Sequence, residues 1–262
     1  MARMKRASRK APPADLDYRK DLLRIVRGLG AALNQAILEQ WAKWSADLAH
    51  VRAAPADQRG DVAAPREIRL VLDGVQAEFR VEDKARGAAE AQSKRVDKKN
   101  QASTRGQIKQ LKGVEPFDDG MQDLVDLFVE GNTGLITSIT GTQAEQIGQI
   151  VQDNLVNGVS AADTAKQIAE RTGVAESRAK MLARDQTGKL NAQLTAARMG
   201  RAGISRYEWS TSRDERVRES HAAKEGNIYA FSDPPADTGN PGEDFNCRCV
   251  AIPVIDDQQA EE

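Results

Sequence analysis

Residues 207–221 read YEWSTSRDERVRESH and residues 247–254 read CRCVAIPV, and these two stretches decide what the C-terminal part of the chain builds. In the first, Tyr207, Trp209 and Thr211 occupy every second position, the spacing of a strand with one buried face. In the second, Cys247 through Val254 alternate in the same way. Between them, from Gly226 to Asn246, Gly, Pro, Asn and Asp are dense, the composition of turns. Residues 200–255 are therefore predicted to form a small, loop-rich α+β unit docked on the helices that precede it.

Upstream the period changes from two to 3.6. Met121, Leu124, Val125 and Phe128 share one helix face, and the pattern continues through Ile136, Ile147, Val151 and Leu155 to a stop at Asn157-Gly158. Ser160 and Asp163 then stand as a capping box, opening a short helix expected to end at Gly173. A further helix is expected from Ala175 to Met199, with Gly200 as its terminal glycine. Near the N-terminus, Leu22, Leu29, Leu33, Ile37, Trp41, Trp44 and Leu48 mark a helix over residues 16–50, whose tryptophans are expected to be exposed to a partner. Residues 66–79 resume helical spacing. Residues 80–112 are so poor in large apolar side chains that they are expected to be a solvated helix or a flexible arm. The expected organisation is a disordered basic arm (1–14), a charged helical region (15–119), a domain over 120–255 (helices 120–199, module 200–255) and an acidic tail (256–262). The fold class is α+β, mainly α-helical, with long N-terminal and central helices.

Aromatic residues make up only 4% of the 262, so any core is built mainly from Ala, Leu, Val and Ile. No run approaches the roughly 18–20 apolar residues that span a bilayer. The basic start is not followed by the apolar stretch of a secretory signal, so a reducing cytoplasm is the expected compartment before assembly. The net charge of −1 conceals strong segregation. Residues 1–30 carry nine Lys or Arg against three Asp, and residues 84–112 carry nine against two acids. Residues 113–165 carry nine Asp or Glu and no Lys or Arg. Such blocks suit non-specific DNA contact through the Lys and Arg of 1–30 and 84–112, or they are solvated helix faces that screen one another.

Both cysteines lie in one C-x-C, and His221 is one of only two histidines. Thiolate and imidazole are zinc ligands, and side chains two apart on a strand share a face, so Cys247 and Cys249 can meet one metal. His221 supplies a third ligand and Asp214 is the candidate for a fourth. A structural zinc would pin a unit too small to hold itself by core burial. The same residues also read as two small buried hydrophobes beside a hydrogen-bonded histidine, and the spacing is none of the paired C-x-x-C signatures. A disulfide across one residue is strained and disfavoured in a reducing compartment. Asp214, Arg216 and Arg218 read as a salt-bridge network rather than a catalytic set. With no HExxH, Walker A or GxSxG motif, no enzyme is expected. The alternative is a metal-dependent hydrolase or nuclease with Glu215 or Glu219 as base.

Taken in order, Tyr207, Trp209, Thr211, Asp214, Arg216, Arg218 and His221, then Gly226, then Pro241-Gly242, then Cys247-Arg248-Cys249 resemble the C-terminal signature of the phage Mu F-like head-morphogenesis proteins. The helical lead-in, Asn157-Gly158-Val159-Ser160 followed by Ala183-Arg184 and Asn191, is similar too. The resemblance covers about residues 120–255. It departs at Arg184-Asp185-Gln186, where the family often has Arg-Thr-Glu: the acid is displaced by one residue, about 100° around a helix. The resemblance implies a minor capsid protein of the virion, in several copies, bound to the portal protein in the capsid interior near the portal vertex. It also implies a part in head assembly and in DNA packaging or ejection.

Overall fold

The structure, a computed structural model, describes residues 4–10, 14–53, 64–114 and 120–256. Within them the chain runs β1 (Met4–Arg6), α1 (Leu16–Ala53), α2 (Ala64–Phe79), α3 (Val81–Lys112), α4 (Gln122–Asn157), α5 (Ala161–Arg201), β2 (Arg206–Ser210), α6 (Glu219–Ala222), β3 (Ile228–Ala230) and β4 (Val250–Asp256). The described residues are thus mainly helical with one small antiparallel sheet, the α+β class read from the sequence. They divide into two compact units interleaved in sequence, which cut across the expected boundary at 119/120. One comprises Met1–Tyr18, Ala89–Glu130 and Met181–Glu262; the other comprises Arg19–Ala88 and Gly131–Lys180. The expected connection over 54–63 and the tail beyond Asp256 lie outside the described residues.

The second unit is an apolar helical assembly. Leu29, Leu33, Ile37, Trp41, Trp44 and Leu48 of α1 recur every three or four residues and bury against Ile68 and Leu72 of α2, Ala144, Ile147, Val151 and Leu155 of α4, and Ile168 of α5. Each such side chain contributes roughly 1.5–3 kcal/mol on burial. The tryptophans are not exposed, contrary to the reading of the sequence. Both are buried, and the Trp44 indole N–H donates to Glu67 Oε2 at 3.1 Å. Their cover comes from α2, a helix of the same chain.

The first unit packs α3 against α5 through polar side chains. Gln92 Nε2 donates to Thr187 Oγ1 (2.8 Å), and Asn100 Nδ2 donates to Asn191 Oδ1 (2.9 Å) and Thr195 Oγ1 (2.7 Å). Arg198 reaches Asn100 Oδ1 and Asp97 Oδ1, both at 2.7 Å. The expectation of a solvated or flexible 80–112 segment is therefore corrected. Ala89, Gln92, Ser93, Val96, Asn100, Thr104, Gln107, Ile108 and Leu111 form a buried stripe at helical spacing. A search for large apolar residues misses it because much of the stripe is small or polar. It is tolerated because its polar groups find partners.

Two helix ends also differ from expectation. α5 is one helix through Gly173, since a single internal glycine costs only about 1 kcal/mol and does not by itself break a helix. Its terminal glycine is Gly203 rather than Gly200. Gly203 takes φ +70°, its N–H donates to Gly200 O, and Ile204 N donates to Met199 O at 2.8 Å, a Schellman closure. Ser160 caps α5 as expected, since Asp163 N donates to Ser160 Oγ at 3.1 Å, and the Asp163 carboxylate accepts from the Ser160 hydroxyl at 2.8 Å.

The sheet has the order β1-β4-β2-β3, with all pairs antiparallel. Residues 4–10 are therefore not part of a disordered arm. β1 pairs with β4 in the register Lys5↔Ile255, and the segment is stitched down by side chains. Lys5 Nζ donates to Leu111 O (3.0 Å), Gln107 Nε2 to Ser8 O (3.0 Å), and Arg9 Nε to Ser210 Oγ (3.1 Å). Pro253 sits in the inner strand β4 without loss, because Ala7 N donates to its carbonyl and its missing N–H therefore faces the end of the edge strand β1.

Replacing Arg198 by Met removes the buried guanidinium and leaves Asn100 Oδ1 without its donor. A stability loss of about 2–4 kcal/mol in urea unfolding is expected. Asp97→Asn should cost less, since the Asp97 side chain is 34% exposed and water can replace its partner.

Candidate metal centre in the C-terminal module

α6, which follows β2, and the end of the long connection between β3 and β4 bring three ligand-bearing residues together. Tyr207 and Trp209 point to the buried face of β2 and pack with Cys249, Tyr229 and Phe231. The one-turn helix α6 then places His221 edge-on to Trp209, ring centroids 5.7 Å apart at 80°. The Cys pair lies immediately before β4, not within it as expected, but still in the extended stretch that leads into Val250.

His221 Nδ1 lies 3.4 Å from Cys249 Sγ and 3.5 Å from Cys247 Sγ. The three ligand atoms lie within 4.8 Å of one another. His221 and Cys249 are buried and Cys247 is half-buried. On the far side of the ring, His221 Nε2 lies 2.9 Å from Asp244 Oδ2. Backbone N–H groups of Gly242 and Cys249 both donate to Cys247 Sγ at 3.4 Å. Hydrogen bonding from Cys249, with those backbone donors and against the effect of burial, pulls the Cys247 thiol down to about 6. The shared proton, then burial, pushes Cys249 up. Burial works to raise the Asp244 carboxyl, but hydrogen bonds from His221 and the Phe245 N–H, with the charge of Arg218, hold it below its ordinary value.

The loop carrying the cysteines is held to α5. Asn246 takes φ +53°, its N–H donates to the buried Asp185 Oδ1 (2.7 Å), and Arg184 Nε donates to its side-chain oxygen (2.8 Å). Gly242, at φ +100°, packs so closely on α5 that a Cβ would stand 3.0 Å from Ala192 Cβ and 3.2 Å from Gly188 O. From the sequence Asp244 has no assigned role, and Asp185 is noted only as the acid displaced by one residue from the family's pattern. The signals that could have found them are the position of Asp244 three residues before Cys247 and the Arg184-Asp185 pair on the lead-in helix.

The remaining signature residues brace this cluster. Asp214 does not join the three ligand atoms, so its expected place as a fourth ligand is corrected. Both its oxygens are taken by Arg248, one at 2.6 Å, and Arg216 contributes its backbone N–H at 3.1 Å. Arg218 pairs with Asp244 and with the Phe245 carbonyl. The Gly226 N–H donates to Trp209 O at 2.8 Å, closing the turn beside β2. Glu225, not singled out in the sequence, accepts from the Thr211 N–H (2.5 Å) and from Arg213.

This arrangement defines a class: a helix-borne C-terminal α+β module in which the His, C-x-C and Pro-Gly elements of one sequence signature meet at one point. Residues 145–252 match the family described as Phage Mu protein F like protein, so this region of the chain is similar to that family. An uncharacterized protein of Haemophilus influenzae is 34% identical over 251 residues, 94% of this chain and 54% of that protein. An uncharacterized protein of Methanocaldococcus jannaschii is 27% identical over 147 residues, 56% of this chain and 23% of that protein. The chain thus spans about half the length of the first relative and about a quarter of the second. No solved structure matches the chain. No helix of the described residues is long and apolar enough to cross a membrane.

The Asp214–Arg248 pair has a pH signature. Arg248 hydrogen bonds hold Asp214 down at about 2, below the ordinary carboxylate value, so the pair adds stability above about pH 4 that is lost as pH falls toward 2. Asp214→Asn should therefore be less stable than the parent chain at neutral pH. The difference should shrink through that window in acid-unfolding curves, and a difference independent of pH would contradict the assignment.

Proposed function

We propose that this chain acts as a minor capsid protein at the portal vertex, inside the head, in head assembly and in packaging or ejection of DNA. The observation that carries the reading is the family match over 145–252, together with the convergence of the signature residues on one braced cluster. The stretch 113–165 carries nine Asp or Glu and no Lys or Arg, a composition suited to a basic partner. The role is structural rather than catalytic: the charged groups around His221 are engaged in holding loops, through Asp214–Arg248, Arg218–Asp244 and Glu225–Thr211. Co-expressed with the portal protein of the same phage, the chain should co-purify with it. A chain that stays monomeric and ignores the portal across a range of salt concentrations would overturn the proposal.

A second reading, non-specific DNA contact, is favoured by one observation. Lys94, Lys98, Arg105 and Lys109 of α3 are all exposed and fall within about 60° of one another around the helix. Such a stripe can neutralise phosphates without reading bases. Replacing the four by Gln should weaken binding to duplex DNA and flatten the dependence of log affinity on log salt by up to about 0.9 per lost phosphate contact. Unchanged binding in a mobility-shift titration would exclude this surface.

A further inference from the structure

We propose that His221 Nδ1, Cys247 Sγ and Cys249 Sγ bind one zinc ion, and that Asp244 is the carboxylate that orients the imidazole. The proposal is independent of the portal and DNA readings.

Four observations converge on it. The first is spacing. Around a tetrahedral zinc with Zn–S of about 2.3 Å and Zn–N of about 2.0–2.1 Å, a sulfur and a nitrogen ligand stand about 3.5 Å apart. Here both S···N separations, 3.4 and 3.5 Å, take that value. The second is ring orientation. A zinc-bound histidine characteristically gives its other nitrogen to a carboxylate, which fixes the tautomer and leaves a lone pair toward the metal. His221 does this with Nε2 on Asp244, leaving Nδ1 toward both sulfurs. The third is the set of donors aimed at sulfur. Two backbone N–H groups point at Cys247 Sγ. Donors arranged in this way suit sulfurs that carry charge. The fourth is the chemistry of the set. Two thiolates and an imidazole are borderline-soft ligands that select zinc among the abundant divalent cations and reject magnesium and calcium. A cleft of about 230 Å³ is lined by both cysteines.

Binding would release the thiol protons and tie α6 to the Cys loop and the start of β4, three short segments with little core of their own.

The test uses the full chain purified from a reducing cytoplasm. Elemental analysis should give one zinc per chain. After chelation, added cobalt(II) should produce the visible bands of a tetrahedral site and a near-ultraviolet sulfur-to-cobalt charge-transfer band. Cys247→Ser and Cys249→Ser should each diminish that band. If either variant fails to fold, two carboxylate variants decide the matter. Asp244→Asn should keep the cobalt spectrum but bind metal about 10–100-fold more weakly, whereas replacement of the exposed Asp233 of the same module by Asn should leave metal affinity unchanged. The proposal is overturned if the parent chain carries no metal and gives no charge-transfer band with cobalt. Loss of affinity in Asp233→Asn equal to that in Asp244→Asn would also overturn it. So would an intact mass two hydrogens short, which marks a Cys247–Cys249 disulfide.

Discussion

An imidazole held between two sulfurs on one side and a carboxylate on the other can occupy only one orientation, and the C-terminal module is arranged around that constraint. His221 rides on a single turn of helix, too short to fix its own direction. Its position is set by neighbours: Trp209 against the ring, Asp244 at Nε2, and the cysteines at Nδ1. Each neighbour is fixed in turn. Arg218 holds Asp244, Asp214 holds the Arg248 that separates the two cysteines, and Asp185 holds the backbone of Asn246 just before them. The signature residues, scattered over some forty positions, are thus successive layers of support around one side chain.

The two units solve helix packing by different means. In the unit containing Trp41 and Trp44, interlocking Leu, Ile and Trp side chains bury apolar area, which is strongly favourable but weak in specifying register. In the other unit, Gln92, Asn100 and Arg198 of the α3–α5 pair need particular partners, and sliding one helix along the other would strand them all. That ladder gains little net energy over an apolar seam, but every shifted register is costly. The same helix α5 also carries Arg184, Asp185, Gly188 and Ala192, which seat the Cys loop. A slip of one turn in α5 would therefore move the loop and its cysteines with it. A polar interface is the kind that prevents such a slip.

These features divide cleanly into those the sequence displays and those it hides. The apolar period of residues 121–155, the stop at Gly158 and the strand alternation at Tyr207 and Trp209 are local, and the structure repeats them. The convergence of His221 with the two cysteines was legible as chemistry, because those residue types are rare in this chain. The fourth residue was misjudged: Asp214 and Asp244 are both acids near the ligands, and only the fold shows that one faces Arg248 and the other faces the ring. The burial of 89–111 was illegible for a physical reason. A helix face on which Ala, Ser, Asn, Gln and Thr outnumber Val96, Ile108 and Leu111 has a weak hydrophobic signal, and its partners on α5 stand about ninety residues away.

The N-terminal segment carries the same lesson into electrostatics. Counted as sequence, Lys5, Arg6 and Arg9 are cations available to any anion. In the fold, Lys5 caps the C-terminal carbonyl of Leu111, where a positive charge is favoured by the aligned peptide dipoles of α3. Arg6 faces Glu208, and Arg9 reaches Ser210 and the Thr211 carbonyl. A cation held by such contacts must break them before it can meet a phosphate, and the N-terminal segment would lose its side-chain ties to α3 and β2 in the exchange. The exposed Lys94 and Lys98 are not tied in this way. A block of like charge in the sequence is therefore not a block of available charge: at the N-terminus the cations are committed to closing the sheet against the end of α3.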